Sequence, residues 1–339
     1  MILIESRGKT MALTRRIMAT TAVAALALTG CGQQKPAAGG EGEETSWPTG
    51  SFTLMVPGDA GGGWDGTGRA LTQAMETSGL VQDTQVINQG GAAGTIGLAS
   101  FVENSRENSL SISGSTMIGG ILLTDSAVTL DDVQPAAVLI SEPVVLAVRA
   151  NSPYKSLDDF LSALKKDTEG TSVAVGSTGG VDHLGFAQVA EAAGVDPTKL
   201  NAVSFKDGGL TSVLNGDVAA GFSTLQQWRP QIENGDLRVL GVTSAERVEG
   251  LDAPTFIEQG IDVEWATWHG LVAPKDTTKE EAAAIADFLS EVHATDAWQE
   301  AVEKNDWTDE FMVGKEADKY FEEQKALYED LLPRLGLTE

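Results

Sequence analysis

The chain has 339 residues, of which 42% are hydrophobic and 21% are charged, so it is long enough for about two domains with a buried core. Its formal net charge of −26 argues against nucleic acid or an anionic membrane surface as a partner, because phosphate affinity comes from Lys and Arg. A single cysteine excludes both an intramolecular disulfide and a zinc site built on several cysteines.

The chain begins with a pattern typical of an export signal. Arg15 and Arg16 precede an apolar run, residues 17–28, which is shorter than the ~20 residues of a membrane-spanning helix. The run ends in Leu-Thr-Gly-Cys, where the small residues before Cys31 resemble the cleavage box of bacterial lipoproteins. We therefore predict that residues 1–30 form a lipoprotein signal peptide and that Cys31 is lipidated. The alternative for Cys31 is a buried free thiol.

The sequence leaves the start residue and the type of export signal undecided. Met1 and Met11 are both possible starts, and the arginine pair also fits a twin-arginine signal. Residues 31–46 contain little to bury, which predicts a flexible tether ahead of a folded part that begins near Trp47. We expect an extracytoplasmic protein that is attached to the cell membrane through its lipid.

Short apolar runs then alternate with segments of helical periodicity. Strands are predicted at residues 51–56, 84–87, 110–113, 136–140, 144–148, 173–175, 218–222 and 238–243, and helices at residues 66–79, 94–102 and 183–193. Two capping boxes, Ser156 with Asp159 and Thr278 with Glu281, predict the starts of further helices, the second of them opening a helical C-terminal third. This alternation predicts an α/β fold with mostly parallel sheets.

The first of three glycine-rich loops follows the first strand and reads Gly-Gly-Gly-Trp-Asp-Gly-Thr-Gly over residues 61–68. Glycines let backbone N–H groups converge on a ligand, and the N-terminus of the following helix favours an anion without help from Arg or Lys. Asp65 is either a helix cap or a ligand contact. Trp64 is either a core residue or a wall of the pocket.

The same loop matches the dinucleotide-binding pattern G-x-G-x-x-G at Gly61, Gly63 and Gly66, so a secreted oxidoreductase is an alternative. However, the second strand ends at Asn88 rather than at the acidic residue that binds ribose, and no Lys follows the glycines as a P-loop requires. The sequence also contains no triad context and no metal-ligand spacing. We expect no cofactor, no metal and no catalytic residue.

The other two glycine-rich loops also lie between a predicted strand and a predicted helix. One covers residues 88–95 and includes Gly94, and the other covers residues 176–183, where Ser177 and Thr178 add hydroxyl donors. Three such loops favour one anionic ligand held from several sides. The alternative is that they simply connect strands to helices.

An ordered set of motifs across residues 52–335 resembles the extracytoplasmic solute receptors of tripartite tricarboxylate transporters, also called Bug proteins. The set includes Gly61-Gly-Gly-Trp-Asp65, Asn88-Gln-Gly-Gly-Ala-Ala-Gly-Thr-Ile-Gly97, Gly176-Ser-Thr-Gly179 with His183, Phe205-Lys-Asp-Gly-Gly209, Leu240-Gly-Val-Thr-Ser244 and Trp268-His-Gly-Leu-Val-Ala-Pro274. The specificity of the resemblance lies in the order of these segments rather than in any one of them.

The resemblance implies a two-lobed, Venus-flytrap fold of the periplasmic-binding-protein type, each lobe a mostly parallel sheet flanked by helices. Lobe 1 would combine residues 47–145 with residues 269–339, and lobe 2 would contain residues 146–268. Backbone N–H groups, hydroxyls and waters would hold the carboxylates of the ligand. The ligand-binding residues implied are Gly62, Gly63, Trp64, Asp65, Thr67, Gly94, Ser177, Thr178, Gly179, His183, Phe205, Ser223 and Trp268.

Two positions depart from the pattern of the family. Gly90 stands where many members have Pro, and Ser223 stands where many members have Asp. The missing carboxylate at Ser223 favours a purely anionic ligand over a cationic or amphoteric one.

We therefore predict a monomeric, non-enzymatic, lipid-anchored solute-binding protein. It would capture a small carboxylate, such as a di- or tricarboxylate, and deliver it to the integral-membrane subunits of a tripartite tricarboxylate-type transporter. A ligand-sensing subunit for a membrane kinase is an alternative that would bind the same ligand.

Overall fold

A computed structural model describes residues 47–205 and 208–338 of the chain. The predicted signal peptide, the predicted lipidation site Cys31 and the predicted tether lie outside the described residues. In the part that is described, none of the helices combines the length and the apolar character that crossing a membrane requires.

Strands and helices alternate through most of the described chain. The strands are β1 (Phe52–Val56), β2 (Thr84–Asn88), β3 (Ser109–Gly114), β4 (Val133–Arg149), β5 (Ser172–Val175), β6 (Asn201–Ser204), β7 (Ala220–Thr224), β8 (Leu237–Val242), β9 (Ala266–Pro274) and β10 (Thr308–Val313). The helices are α1 (Gly63–Thr77), α2 (Thr95–Asn104), α3 (Ser115–Thr124), α4 (Leu157–Lys166), α5 (Val181–Ala192), α6 (Leu210–Asn215), α7 (Leu225–Glu233), α8 (Lys279–His293), α9 (Asp296–Lys304) and α10 (Lys315–Arg334).

The strands form one mixed sheet in the order β2-β1-β3-β9-β4-β7-β5-β6, with β8 and β10 also paired to β4. The pairs of β1 with β2 and β3, and of β5 with β6 and β7, are parallel. The pairs that involve β4 or β9 are antiparallel. The expected parallel arrangement therefore holds at the two ends of the sheet. The middle is antiparallel because β4 and β9 run in opposite directions where the two halves join.

Strand β4 belongs to both halves of the fold. From Val133 to Pro143 it pairs with β9, and from Val144 to Arg149 it pairs with β7 and β8. The sequence predicts two strands here, because Ser-Glu-Pro separates two apolar runs and Pro normally interrupts a ladder. In the structure Pro143 occupies the position at which β4 changes partners, so the strand continues through it. The lobe boundaries near residues 145 and 268 stay a prediction.

Six elements were not predicted from the sequence, namely α3, α6, α7, β6, β9 and β10. Helix α3 buries Met117, Ile118, Gly119 and Ile121 on several sides, so it has no polar face to give the periodic signal of a surface helix. Strand β10 lies within the C-terminal third that the sequence predicts as helical, and it pairs with β4.

The two halves touch where α3 meets the loop before α5. A Cβ atom at Gly119 would overlap the carbonyl oxygen of Gly179, so only glycine permits this approach of the two backbones. This contact lies between the end of β3 in one half and the end of β5 in the other.

Both predicted capping boxes are confirmed. Ser156 accepts a hydrogen bond from the backbone N–H of Asp159, while the Asp159 carboxylate accepts from the Ser156 N–H, and Thr278 and Glu281 form the same pair at α8. Each box satisfies two N–H groups that the first turn of a helix leaves without a partner.

We expect Ser156→Ala to lower the free energy of unfolding by about 1 kcal/mol, because it removes the acceptor at the start of α4. Urea denaturation followed by circular dichroism measures the change. Ser78→Ala is the matched control, since Ser78 is exposed at the end of α1 and its side chain makes no hydrogen bond with the described residues. Equal stability of the two variants would contradict the expected role of the cap.

Candidate ligand-binding cleft

A cleft of about 600 Å³ opens where the loops after β1, β2, β5 and β7 meet. This volume is typical of a small-molecule site, and the carboxyl ends of strands are where α/β sheets bind ligands. Six of the residues predicted from the sequence line it, namely Gly62, Gly63, Trp64, Asp65, Gly94 and Ser177. The structure therefore brings all three glycine-rich loops to one cavity.

Five helices begin at this cleft without a side-chain cap. Helices α1, α2, α3, α5 and α7 each place their N-cap residue or a residue of their first turn in the lining. Their N-cap residues, Gly62, Gly94, Gly114, Gly180 and Thr224, make no side-chain cap hydrogen bond, whereas Ser156, Thr278 and Thr295 cap α4, α8 and α9. The N–H groups of the five first turns, with the positive ends of the helix dipoles, are therefore available to an anion.

Asp65 shapes the first loop. Its Oδ2 accepts hydrogen bonds from the Gly61 N–H at 2.8 Å and from Arg69 Nε at 2.9 Å, and its Oδ1 accepts from Asn88 Nδ2 at 2.9 Å. Burial alone would raise the pKa of Asp65, but these hydrogen bonds and the charge of Arg69 lower it overall. Asp65 is therefore an anion whose bonds tie the loop to β2. A direct contact with the ligand stays a prediction.

Trp64 forms a wall of the cleft, and the second loop packs against it. A Cβ atom at Gly94 would lie 2.7 Å from Cζ3 of Trp64, and the φ of Gly94 is +95°. Glycine is thus required at position 94 both by its backbone conformation and by the indole ring.

The departure at Gly90 also has a structural reason. A Cβ atom at this position would overlap the Asp59 carboxylate, and Asp59 itself lines the cleft. A proline at position 90 would not leave room for that side chain in its present place.

The other predicted site residues lie behind or beside the lining. Thr67 is buried beneath the first loop, with its Oγ1 2.7 Å from Nδ1 of His269. Thr178 is exposed and its hydroxyl bonds Ser204, while the Gly179 N–H donates to Nδ1 of His183 at 3.1 Å. The part these side chains play in binding stays a prediction.

Three more of the predicted residues are packed into the protein. Trp268 is 1% exposed, and its indole N–H donates to Oε1 of Gln324. Ser223 is buried and donates to Oε1 of Gln227, and Phe205 is half-buried at the end of β6. None of the three lines the cleft, although Gln227, the partner of Ser223, does.

Three buried titratable residues of the lining were not among the predicted ligand contacts. Glu142 lies on β4, Asp182 in the first turn of α5 and His269 on β9, and all three are buried. Burial raises the pKa of Glu142 to about 8, with repulsion from Asp182 adding to the shift, and burial raises the pKa of Asp182 to about 6. Burial lowers the pKa of His269 to about 3, so its ring is neutral.

The charges of the lining are unusual for an anion site. Four acidic residues line the cleft, Asp59, Asp65, Glu142 and Asp182, and no Lys or Arg does so among the described residues. Any anion held here must therefore be bound by backbone N–H groups, hydroxyls, amides and neutral acids.

The sequence matches the family model of the tripartite tricarboxylate transporter family receptor, TctC, over residues 69–337. Among its relatives is a UPF0065 protein of Agrobacterium vitis, with 28% identity over 259 residues that cover 74% of this chain and 72% of that protein. It is also similar to protein BugT of Bordetella pertussis, with 26% identity over 267 residues that cover 76% of this chain and 80% of that protein.

Solved structures share the fold. A TctC solute-binding protein from Polaromonas superposes with a TM-score of 0.67 and 26% identity, over 85% of this chain and all of that one. MatC from Rhodopseudomonas palustris with bound malate gives 0.70 at 22% identity, over 84% of this chain and all of that one. An R. palustris protein with adipate gives 0.75 at 23% identity, over 86% of this chain and 99% of that one. At 22% and 23% identity, these last two similarities show the fold alone.

We expect Asp65→Asn to cost about 1 to 2 kcal/mol at pH 7, because it weakens hydrogen bonds to a buried charge. The folded-state pKa of Asp65 is depressed, so the stability that its charge contributes is present at neutral pH and is lost as the pH falls below about 4. The difference from wild type should therefore shrink between pH 7 and pH 3 in urea denaturation. Asp217→Asn, at an exposed carboxylate outside the cleft, is the control. If the stability difference between Asp65→Asn and wild type did not change with pH, the ionised Asp65 would not stabilise the fold through these hydrogen bonds.

Proposed function

Because the chain belongs to the TctC family of tripartite tricarboxylate transporter receptors, we propose that it captures a small carboxylate outside the cytoplasm and delivers it to the membrane subunits of such a transporter. Members of this family are extracytoplasmic solute-binding receptors rather than enzymes. Membership of the family follows from the sequence match, whereas the carboxylate solute and the partner transporter are proposed here.

The observation that carries the proposal is the set of five uncapped helix N-termini around one cleft. A carboxylate fits such a site because each oxygen accepts several N–H donors and the helix dipoles favour negative charge. Because no cation of the described residues lines the cleft, binding depends on these fixed donors.

The relatives of known structure support a small acid as the solute. MatC holds malate, and another protein of the same fold holds adipate. Di- and tricarboxylates of this size fit a cleft of about 600 Å³.

The oxidoreductase alternative loses support at the end of β2. Asn88 stands where a dinucleotide-binding fold needs an acidic residue, and its side-chain amide donates to Asp65 and to the Gly58 carbonyl. A sensory subunit would bind the same acid, so that alternative differs in its membrane partner rather than in this site.

The first test is ligand binding by the folded part of the chain. Native mass spectrometry of the purified protein identifies an acid that co-purifies. Isothermal titration calorimetry measures the affinity of the protein for adipate, malate and citrate. We expect at least one of these acids to bind with a dissociation constant in the micromolar range or below, and neither an uncharged sugar nor an aliphatic amine to bind. Tight binding of the sugar or the amine, with no binding of any acid, would refute the proposal.

Ser177→Ala adds a site-directed test. Ser177 lines the cleft, and its hydroxyl makes no hydrogen bond with the described residues. If the hydroxyl donates to a carboxylate, its removal should weaken binding about tenfold or more. Ser78→Ala is the control, because Ser78 is exposed at the end of α1 and lies outside the lining, and this variant should bind as wild type does.

We further propose that Cys31 carries the lipid that holds the receptor on the membrane, on the basis of the apolar run that ends in Leu-Thr-Gly-Cys. Cys31→Ser should abolish incorporation of labelled fatty acid and shift the protein from the membrane fraction to the soluble or unprocessed fraction. Membrane attachment and labelling that persist in this variant would show that the anchor lies elsewhere.

A further inference from the structure

The floor of the cleft contains a carboxyl group that the protein does not satisfy. Glu142 is 2% exposed, and its Oε2 is buried with no hydrogen-bond partner among the described residues. It lies on β4 opposite Thr267 of β9, and its Oε1 would be 3.9 Å from a Cβ atom on Gly63. A buried polar group without a partner is costly unless a ligand or water supplies one.

A second buried acid fixes the charge state of the first. Asp182 is 8% exposed and accepts a hydrogen bond from the Gly176 N–H at 2.8 Å, which favours its ionised form. Burial raises the pKa of both acids, and Glu142, which is also repelled by Asp182 and has no such donor, has the higher pKa of the two. At neutral pH the proton of the pair therefore resides on Glu142.

The groups around Glu142 offer it no compensating positive charge. His269 of β9, whose ring lies beside Gly63, is neutral, and Arg69 of α1 is engaged by Asp65. His183 of α5 accepts a hydrogen bond from the Gly179 N–H, and burial lowers its pKa. The remaining titratable groups of the lining are Asp59, Asp65 and Asp182, and the nearby elements add Glu310 of β10, which accepts from Ser141, and Tyr328 of α10, which interacts with Asp182. All of these are acids.

We propose that Glu142 binds the solute as a neutral acid, donating its carboxyl proton to a carboxylate oxygen of the ligand. The inference rests on the proposed function and specifies how one end of the ligand is recognised. An O–H donor facing a carboxylate forms a charge-assisted hydrogen bond, which is short and about twice as strong as a neutral one. Glu142 thereby selects an anionic group at a place where an ionised glutamate would repel it.

The opposite assignment is that Glu142 is ionised and accepts an ammonium group of an amphoteric ligand. The two assignments differ in what a glutamine does at this position. The amide of a glutamine would keep a donor in nearly the same shape, so it can replace a neutral acid but not an anion. Glu142→Gln and Glu142→Leu therefore separate the two assignments.

The experiment is calorimetry of adipate, malate and citrate with wild type, Glu142→Gln and Glu142→Leu between about pH 7 and 9.5, where these acids are almost fully ionised. In wild type the affinity should fall as the pH rises through the pKa of Glu142, approaching tenfold per pH unit. Glu142→Gln should bind with an affinity that does not change with pH. Glu142→Leu should bind about 10- to 100-fold more weakly than wild type at pH 7.

Glu310→Gln is the matched control, because Glu310 is a nearby acid outside the lining, and this variant should keep the pH dependence of wild type. Loss of binding in Glu142→Gln while wild type binds an acid would overturn the inference and leave the proposed function intact. Failure of wild type to bind any of the acids would overturn both.

Two measurements on wild type cover the case in which the variants do not fold. Calorimetry in buffers of different ionisation enthalpy should show that binding takes up close to one proton at pH 9.5 and almost none at pH 7. Infrared spectroscopy of the ligand-free protein should show a protonated carboxyl band at pH 7 that disappears as the pH rises past about 8. Binding without proton uptake at pH 9.5, or an infrared spectrum with no protonated carboxyl at pH 7, would overturn the inference.

Discussion

The arrangement of the whole molecule depends on the hydrogen bonding of one strand, β4. A strand buried along most of its 17 residues must pair its backbone groups throughout, and β4 does so by pairing first with β9 and β10 and then with β7 and β8. The exchange of partners at residues 143 and 144 joins the two halves of the sheet. It also places Glu142, the residue just before the exchange, on the floor of the cleft that both halves line.

The cleft offers an anion backbone N–H groups rather than the charged side chains of Arg or Lys. Helices α4, α8 and α9 begin away from the cleft and have Ser or Thr caps, although α10 begins at Gly314 without one. All five helices that begin at the cleft, α1, α2, α3, α5 and α7, lack a side-chain cap. A site of fixed N–H dipoles needs no buried cation, so the protein avoids the desolvation of an Arg or Lys side chain in its empty state. The cost of burying a charge also explains why Glu142, at the bottom of the cleft, carries a proton.

The sequence predicts those parts of the fold whose signals are local. Capping boxes depend on residues three apart, and glycine-rich loops between strands and helices mark the ends of β1, β2 and β5. The continuity of β4 was not predicted, because Ser-Glu-Pro has the composition of a turn and only the partners supplied by β7, β8 and β9 keep it extended. Trp268 illustrates the same limit, since its motif places it near the cleft but packing against Tyr320 and Phe321 turns its ring into the core.

Glu142 had a sequence signal that is recognisable only once the strand is known. An acidic residue between two apolar runs indicates a break if the runs are separate strands, but a buried functional group if they are one. Ser223 adds no negative charge from the other half, because its side chain is a neutral hydroxyl that donates to Gln227. With His269 neutral and Glu142 protonated, the donors of the cleft are directed at an acceptor. The ionised Asp182 remains as the charge that keeps the proton on Glu142.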